Sequence, residues 1–159
     1  NGIPDPCEGG VVCTPLPNST GWPTNMNIFL AGGPGTGVHV DITSGPPSQF
    51  GYLLIGTGLQ APGLPIGSGV LCLATSAPNL IARYNITGGP LNSVGIFDPF
   101  GVMQNLVGTS TSGTGYDIPT AIPAPIGGVI LAGQTWHFQY WHRDIPLTSN
   151  FSNAVTWTF

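Results

Sequence analysis

The stretch from Gln134 to Phe159 constrains the fold of this chain more than any other. Its first arm, Thr135 to Arg143, is rich in aromatic residues and has no Gly or Pro, which is a strand composition. A period of two puts Trp136, Phe138 and Tyr140 on one face, and His137, Gln139, Trp141 and Arg143 on the other. Asp144 to Ser149, with Pro146 inside it, reads as a turn. The second arm, Asn150 to Phe159, sets Phe151, Val155, Trp157 and Phe159 on one face and Ser152, Ala154, Thr156 and Thr158 on the other. Three of the four Trp residues fall in this hairpin, so the core is expected to be densest here. A core strand at Phe159 predicts a domain that closes there.

The rest of the chain repeats the theme at shorter length. No stretch spaces its apolar residues for three helical turns. Instead, 25 Gly and 17 Pro residues punctuate short apolar or alternating runs. Strands are predicted at Asn25–Ala31, Val38–Thr43, Phe50–Ile55, Val70–Leu73, Leu80–Thr87, Ser93–Phe97 and Val102–Val107. Val38, Val40 and Ile42 alternate with His39, Asp41 and Thr43, the pattern of a half-buried antiparallel strand. Phe50–Ile55 is continuously apolar and predicts a strand covered on both faces. Gly56 to Pro65 and Gly108 to Gly115 read as loops. The predicted fold is all-β: an antiparallel β-sandwich, jelly-roll or Ig-like, of about nine or ten strands with little or no helix. Residues 13–159 form one domain. Residues 1–12, with Pro4 and Pro6, form an extended N-terminal arm and a candidate donor strand.

Charge excludes whole classes of function. Only 5% of residues are charged, against about 25% in an average soluble protein. There is no Lys, and Arg83 and Arg143 are the sole Arg residues. That rules out a basic nucleic-acid surface and an anionic-membrane patch. No apolar run approaches the length of a membrane span. A surface this poor in charge must be kept dispersed by Asn, Ser, Thr and Gly, by sugar, or by contact with other subunits. Asn1 in the first position implies a removed leader, and three cysteines fit an exported protein.

Three segments carry a resemblance. They are Cys13 to Gly21, Pro65 to Cys72 followed by Arg83, and Gly133 to Asp144 leading to Asn150–Val155. With them the chain resembles a β-rich domain of secreted proteins from Planctomycetes and other environmental bacteria. The resemblance implies export and a β fold and brings no enzymatic activity with it. Cys13 and Cys72 lie in two of these segments. Their bond would close a loop of about 60 residues, worth roughly 4 kcal/mol in the chain-entropy model. A Cys7–Cys13 bond is the local alternative. With Cys13–Cys72 formed, Cys7 is a free thiol or a bond to another chain.

Other constellations read more plainly as structural or surface groups. His39, His137 and His142 do not suit a metal, since His137 and His142 fall on opposite faces of one strand. Ser149, His142 and Asp144 could be drawn as a triad, but no Gly-x-Ser-x-Gly elbow supports it. Arg143 and Asp144 suggest an ion pair or a turn contact. Asn18, Asn85 and Asn150 open Asn-x-Ser/Thr triplets and are glycosylation candidates. Trp22, beside Pro23, and Trp141 are candidate glycan-stacking platforms. No catalytic residue, metal or cofactor is assigned. The expected function is a non-enzymatic, secreted or cell-surface structural protein, a subunit that joins copies of itself into a fibre or matrix. Ile3, Cys7, Val11 and Val12 of the arm would make the joint. The alternative is a carbohydrate-binding module or adhesin.

Overall fold

The computed structural model describes Gly10 and Val11, by their backbone, and residues 13–159. Its strands, in chain order, are β1 (Gly10–Val11), β2 (Asn25–Leu30), β3 (Val38–Thr43), β4 (Phe50–Gly56), β5 (Leu59–Ile66) and β6 (Gly69–Leu73). Then come β7 (Ile81–Arg83), β8 (Gly95–Phe97), β9 (Met103–Asn105), β10 (Tyr116–Asp117), β11 (Thr135–Asp144) and β12 (Thr148–Thr158). All pairings are antiparallel. No helix occurs among the described residues, and hence none that is long and apolar enough to cross a membrane. The expected antiparallel β-sandwich is the observed architecture, with more strands than the sequence predicts because several are only two or three residues long.

The largest sheet runs β1-β12-β11-β4-β8-β9, with β7 also paired to β4. The facing sheet is β10-β3-β2. Met26, Ile28, Val40 and Ile42 from the small sheet meet Leu53, Ile55, Phe138, Tyr140 and Val155 from the large one. Each such buried aliphatic or aromatic side chain contributes about 1.5–3 kcal/mol. The β5–β6 hairpin lies on the other face of the large sheet, where Leu54, Leu71, Leu73 and Phe151 make a second cluster. β4 is therefore covered on both faces, as its continuous apolar run predicts.

Two expectations need correction. Leu59–Ile66 is a strand and not a loop. Pro62, Gly63 and Pro65 are tolerated because β5 is an edge with a register shift between Leu59 and Leu64. Phe151 does not share a face with Val155 and Trp157. Gln139 pairs with Ala154 but Trp141 pairs with Phe151, so β12 carries an extra residue in a bulge. The bulge turns Phe151 to the outer cluster and leaves Val155 in the main core.

The bulge also supplies polar clamps. Asn153 accepts a hydrogen bond from the Met26 N–H at 2.7 Å and donates to the Met26 carbonyl at 3.0 Å. One side-chain amide thus stands in for a strand partner and ties the two sheets together. Ser152 Oγ accepts from the Tyr140 N–H at 2.9 Å. These groups are buried yet satisfied, which is what makes their burial affordable.

Candidate functional site

The β5–β6 hairpin covers part of the outer face of the large sheet, and an aromatic shelf packs against the same cluster beside it. Trp141 on β11 sits opposite Tyr52 on β4. Their rings are 4.8 Å apart and tilted by 33°. Phe50, two residues before Tyr52 and so on the same face, meets Trp141 edge-on at 6.0 Å. The close approach of β4 and β11 depends on Gly51, where a Cβ would run into the Trp141 carbonyl oxygen and the Tyr140 ring. Trp141 and Tyr52 are half-buried and Phe50 is 43% exposed.

Both arginines of the chain belong to this shelf. The Arg143 guanidinium lies 5.9 Å from the Phe50 ring centroid and 5.8 Å from that of Trp141, within cation–π range. Arg83, opposite Leu54 across β4 and β7, lines a hollow of about 290 Å³ with Tyr52, Ile81 and Trp141. Among the described residues, neither guanidinium has a carboxylate within ion-pairing distance. The four described carboxylates are engaged elsewhere. Asp41 and Asp117 hold His39, Asp98 accepts from Phe100, Val102 and Gln104, and Asp144 accepts from the Ser19 and Ile145 N–H groups. Of the two roles expected for Asp144, it therefore takes the turn contact and not the ion pair with Arg143. The shelf combines aromatic rings with two guanidinium groups that have no carboxylate partner among the described residues, and such groups can hold a ligand.

The remaining candidates are dispersed. Trp22 is 71% exposed and makes none of the shelf's ring contacts. His142 is buried. Its Nδ1–H donates to the Arg143 carbonyl at 2.7 Å, and its Nε2 lies 2.8 Å from Thr24 Oγ1. Burial pulls its pKa below the ordinary value, against the opposing effects of the Arg143 carbonyl and the Asp144 charge. Both ring nitrogens are engaged by groups other than Ser149 and Asp144, so the drawn triad does not form. His137 hydrogen bonds to Thr156 at 2.8 Å, and burial lowers its pKa too. His39 is buried between Asp117, at 2.7 Å, and Asp41, at 3.1 Å. Burial raises the Asp117 pKa, but hydrogen bonds from His39 and Thr111 outweigh it and hold it below the ordinary value. No cluster suited to a metal ion occurs among the described residues.

The three glycosylation candidates separate sharply. Asn18 is buried, donating to Thr24 Oγ1 and the Ser44 carbonyl and accepting from Thr20. Asn150 is also buried, donating to the Pro17 carbonyl at 3.1 Å. A sugar on either amide would displace these bonds and have no exit to solvent. Asn85 alone keeps a partly exposed side chain. Cys13 and Cys72 are bonded, with Cα atoms 6.3 Å apart. Ile3, Cys7 and Val12 lie outside the described residues. Val11 pairs with Val155 and Gly10 with Thr156 of the same chain.

Sequence alternation places Trp141 and Arg143 on one face, but Phe50, Tyr52 and Arg83 join them only through the register of β4 with β11 and β7. Against protein-family models, curated proteins and solved structures, the chain has no match.

Proposed function

We propose that the chain is a non-enzymatic, extracellular structural domain that assembles with copies of itself, and that residues 1–12 make the joint. The observation that carries this reading is the edge of β12. On one side β12 pairs with β11 from Thr148 to Thr158. On the other, its strand partner among the described residues is β1 alone, at Val155 and Thr156. An edge of this kind accepts an added strand. A neighbour's Gly10–Val11 could make the same contact as the chain's own, so exchange between copies conserves the pairing. The Cys13–Cys72 bond fixes the root of the segment on β6, so exchange pivots between Val11 and Cys13.

The surface supports the same reading. Leu147 is 99% and Phe100 89% exposed, on a chain with only 5% charged residues. Such a surface is better suited to being covered by neighbours than to standing alone in water. The disulfide and the resemblance to secreted Planctomycete domains support export. Engineered cysteines at Gly10 and Thr156, in a Cys7→Ser background, test the joint. If the reading holds, oxidation of assemblies mixed from two differently tagged copies links the tags to each other. Bonds formed only within one chain would refute it.

A second reading, a carbohydrate-binding module or adhesin, is favoured by the shelf at Trp141, Tyr52 and Phe50.

A further inference from the structure

We infer that the shelf formed by Phe50, Tyr52, Trp141, Arg83 and Arg143 binds an acidic, uronate-bearing polysaccharide. The inference rests on the reading of the shelf as a glycan platform and adds the class of glycan. The aromatic faces supply the part that any glycan platform needs. A pyranose ring has one face made largely of C–H groups, and these pack against aromatic rings such as the exposed Phe50 and the half-buried Tyr52 and Trp141.

The arginines supply the selectivity. The chain has two cations in all, and folding brings both to this one surface. Each could have been neutralised by a carboxylate, but all four described carboxylates are hydrogen-bonded elsewhere. A guanidinium within cation–π distance of aromatic rings, as that of Arg143 is of Phe50 and Trp141, can still direct its N–H groups at a ligand. Those groups match a carboxylate, two N–H donors to two oxygens. A neutral glycan would leave this capacity unused.

The spacing favours a polymer over a small anion. The Arg143 guanidinium lies 5.9 Å from the Phe50 ring centroid, and Arg83 lies opposite Leu54 on the same strand. Four residues of β-strand separate these positions by about 13 Å. A chain with acidic groups at intervals can engage cations rooted at both positions, with its rings on the aromatic shelf between them.

The test is isothermal titration of the full chain with hexagalacturonate and, in parallel, with neutral cellohexaose. NMR reports whether the Trp141 indole shifts. Binding of the acidic hexamer at least tenfold tighter than the neutral one is expected, with the Trp141 indole perturbed. Arg83→Gln and Arg143→Gln should each weaken the acidic hexamer roughly tenfold, the effect of one lost charge-assisted contact, and leave the neutral one unchanged. Both side chains are exposed, so the variants should keep the fold, as near-UV circular dichroism would verify. Equal affinity for the two hexamers overturns the acidic preference and spares the platform. Failure of both to bind at millimolar concentration overturns both. Arg variants that lose self-association while binding the acidic hexamer normally would assign the shelf to the subunit contact and overturn the inference.

Discussion

Gln139 and Cys72 are joined as two strands would be, although they lie in different layers. The Gln139 side-chain carbonyl accepts from the Cys72 N–H at 2.9 Å. The same amide donates to the Val70 carbonyl at 2.9 Å and the Ser152 carbonyl at 2.8 Å. One buried side chain thus holds the β5–β6 hairpin onto the large sheet and so sets the boundary of the open shelf. Replacing Gln139 with Leu removes three hydrogen bonds and leaves the Cys72 N–H without this acceptor. The expected cost is about 2–4 kcal/mol in urea denaturation. Amide exchange should quicken at Val70 and Cys72 first. An unchanged midpoint with unchanged exchange would show that apolar packing alone holds the hairpin.

Stability should fall on mild acidification. Burial lowers the pKa of His142, and of His137 in the same direction. In the unfolded chain both titrate near 6.5. Below that pH the unfolded state takes up protons that the folded state refuses. Stability from these groups is therefore complete above about pH 6.5, and is lost as pH falls through that value toward the lower folded pKa. The urea midpoint should drop between pH 7.5 and 5.5, and His142→Gln should flatten part of the slope. Asp117 and Asp144, both held below the ordinary carboxylate range, add a second loss below about pH 4. A midpoint that rises on going to pH 5.5 would contradict the burial account.

The Cys13–Cys72 bond spans 59 residues of sequence. In the chain-entropy model, its removal by the double substitution to Ser costs about 4 kcal/mol. Non-reducing peptide mapping should recover the two cysteines together. Cleavage needs a protease other than trypsin, which has sites only at Arg83 and Arg143. Recovery of a Cys7–Cys13 peptide would reject the pairing.

Asn18 should behave as a structural residue and not as a sugar acceptor. Asn18→Ala breaks its bonds to Thr24 and Ser44, and through Thr24 loosens the support of His142. A loss of about 2–3 kcal/mol is expected. Mass mapping of native material should find any N-linked sugar at Asn85 and none at Asn18 or Asn150. Full occupancy at Asn18 in folded protein would refute this.

These cases show which features were legible in the sequence. Val38, Val40 and Ile42 alternate cleanly and are all core residues, because β3 is regular and paired along its length. β5 was hidden by Pro62, Gly63 and Pro65, which mark a loop unless the strand is a shifted edge. The face of Phe151 was lost to a bulge, since one extra residue inverts the alternation beyond it. The triplets at Asn18 and Asn150 are local patterns, whereas burial is decided by distant partners such as Ser44 and Pro17. Two of the five shelf residues were visible, Trp141 with Arg143, because they share one strand. Phe50, Tyr52 and Arg83 join it through strand register, which alternation alone does not fix.

The central claim, that residues 1–12 join one copy to the next, is tested most directly by deletion. The full chain and a chain lacking residues 1–12 would be compared by sedimentation velocity and negative-stain electron microscopy. The account predicts fibres or large oligomers from the full chain. It predicts folded single copies, with β-rich circular dichroism, from the shortened one. Identical fibres from both, or a full chain that stays monomeric at high concentration, would contradict it.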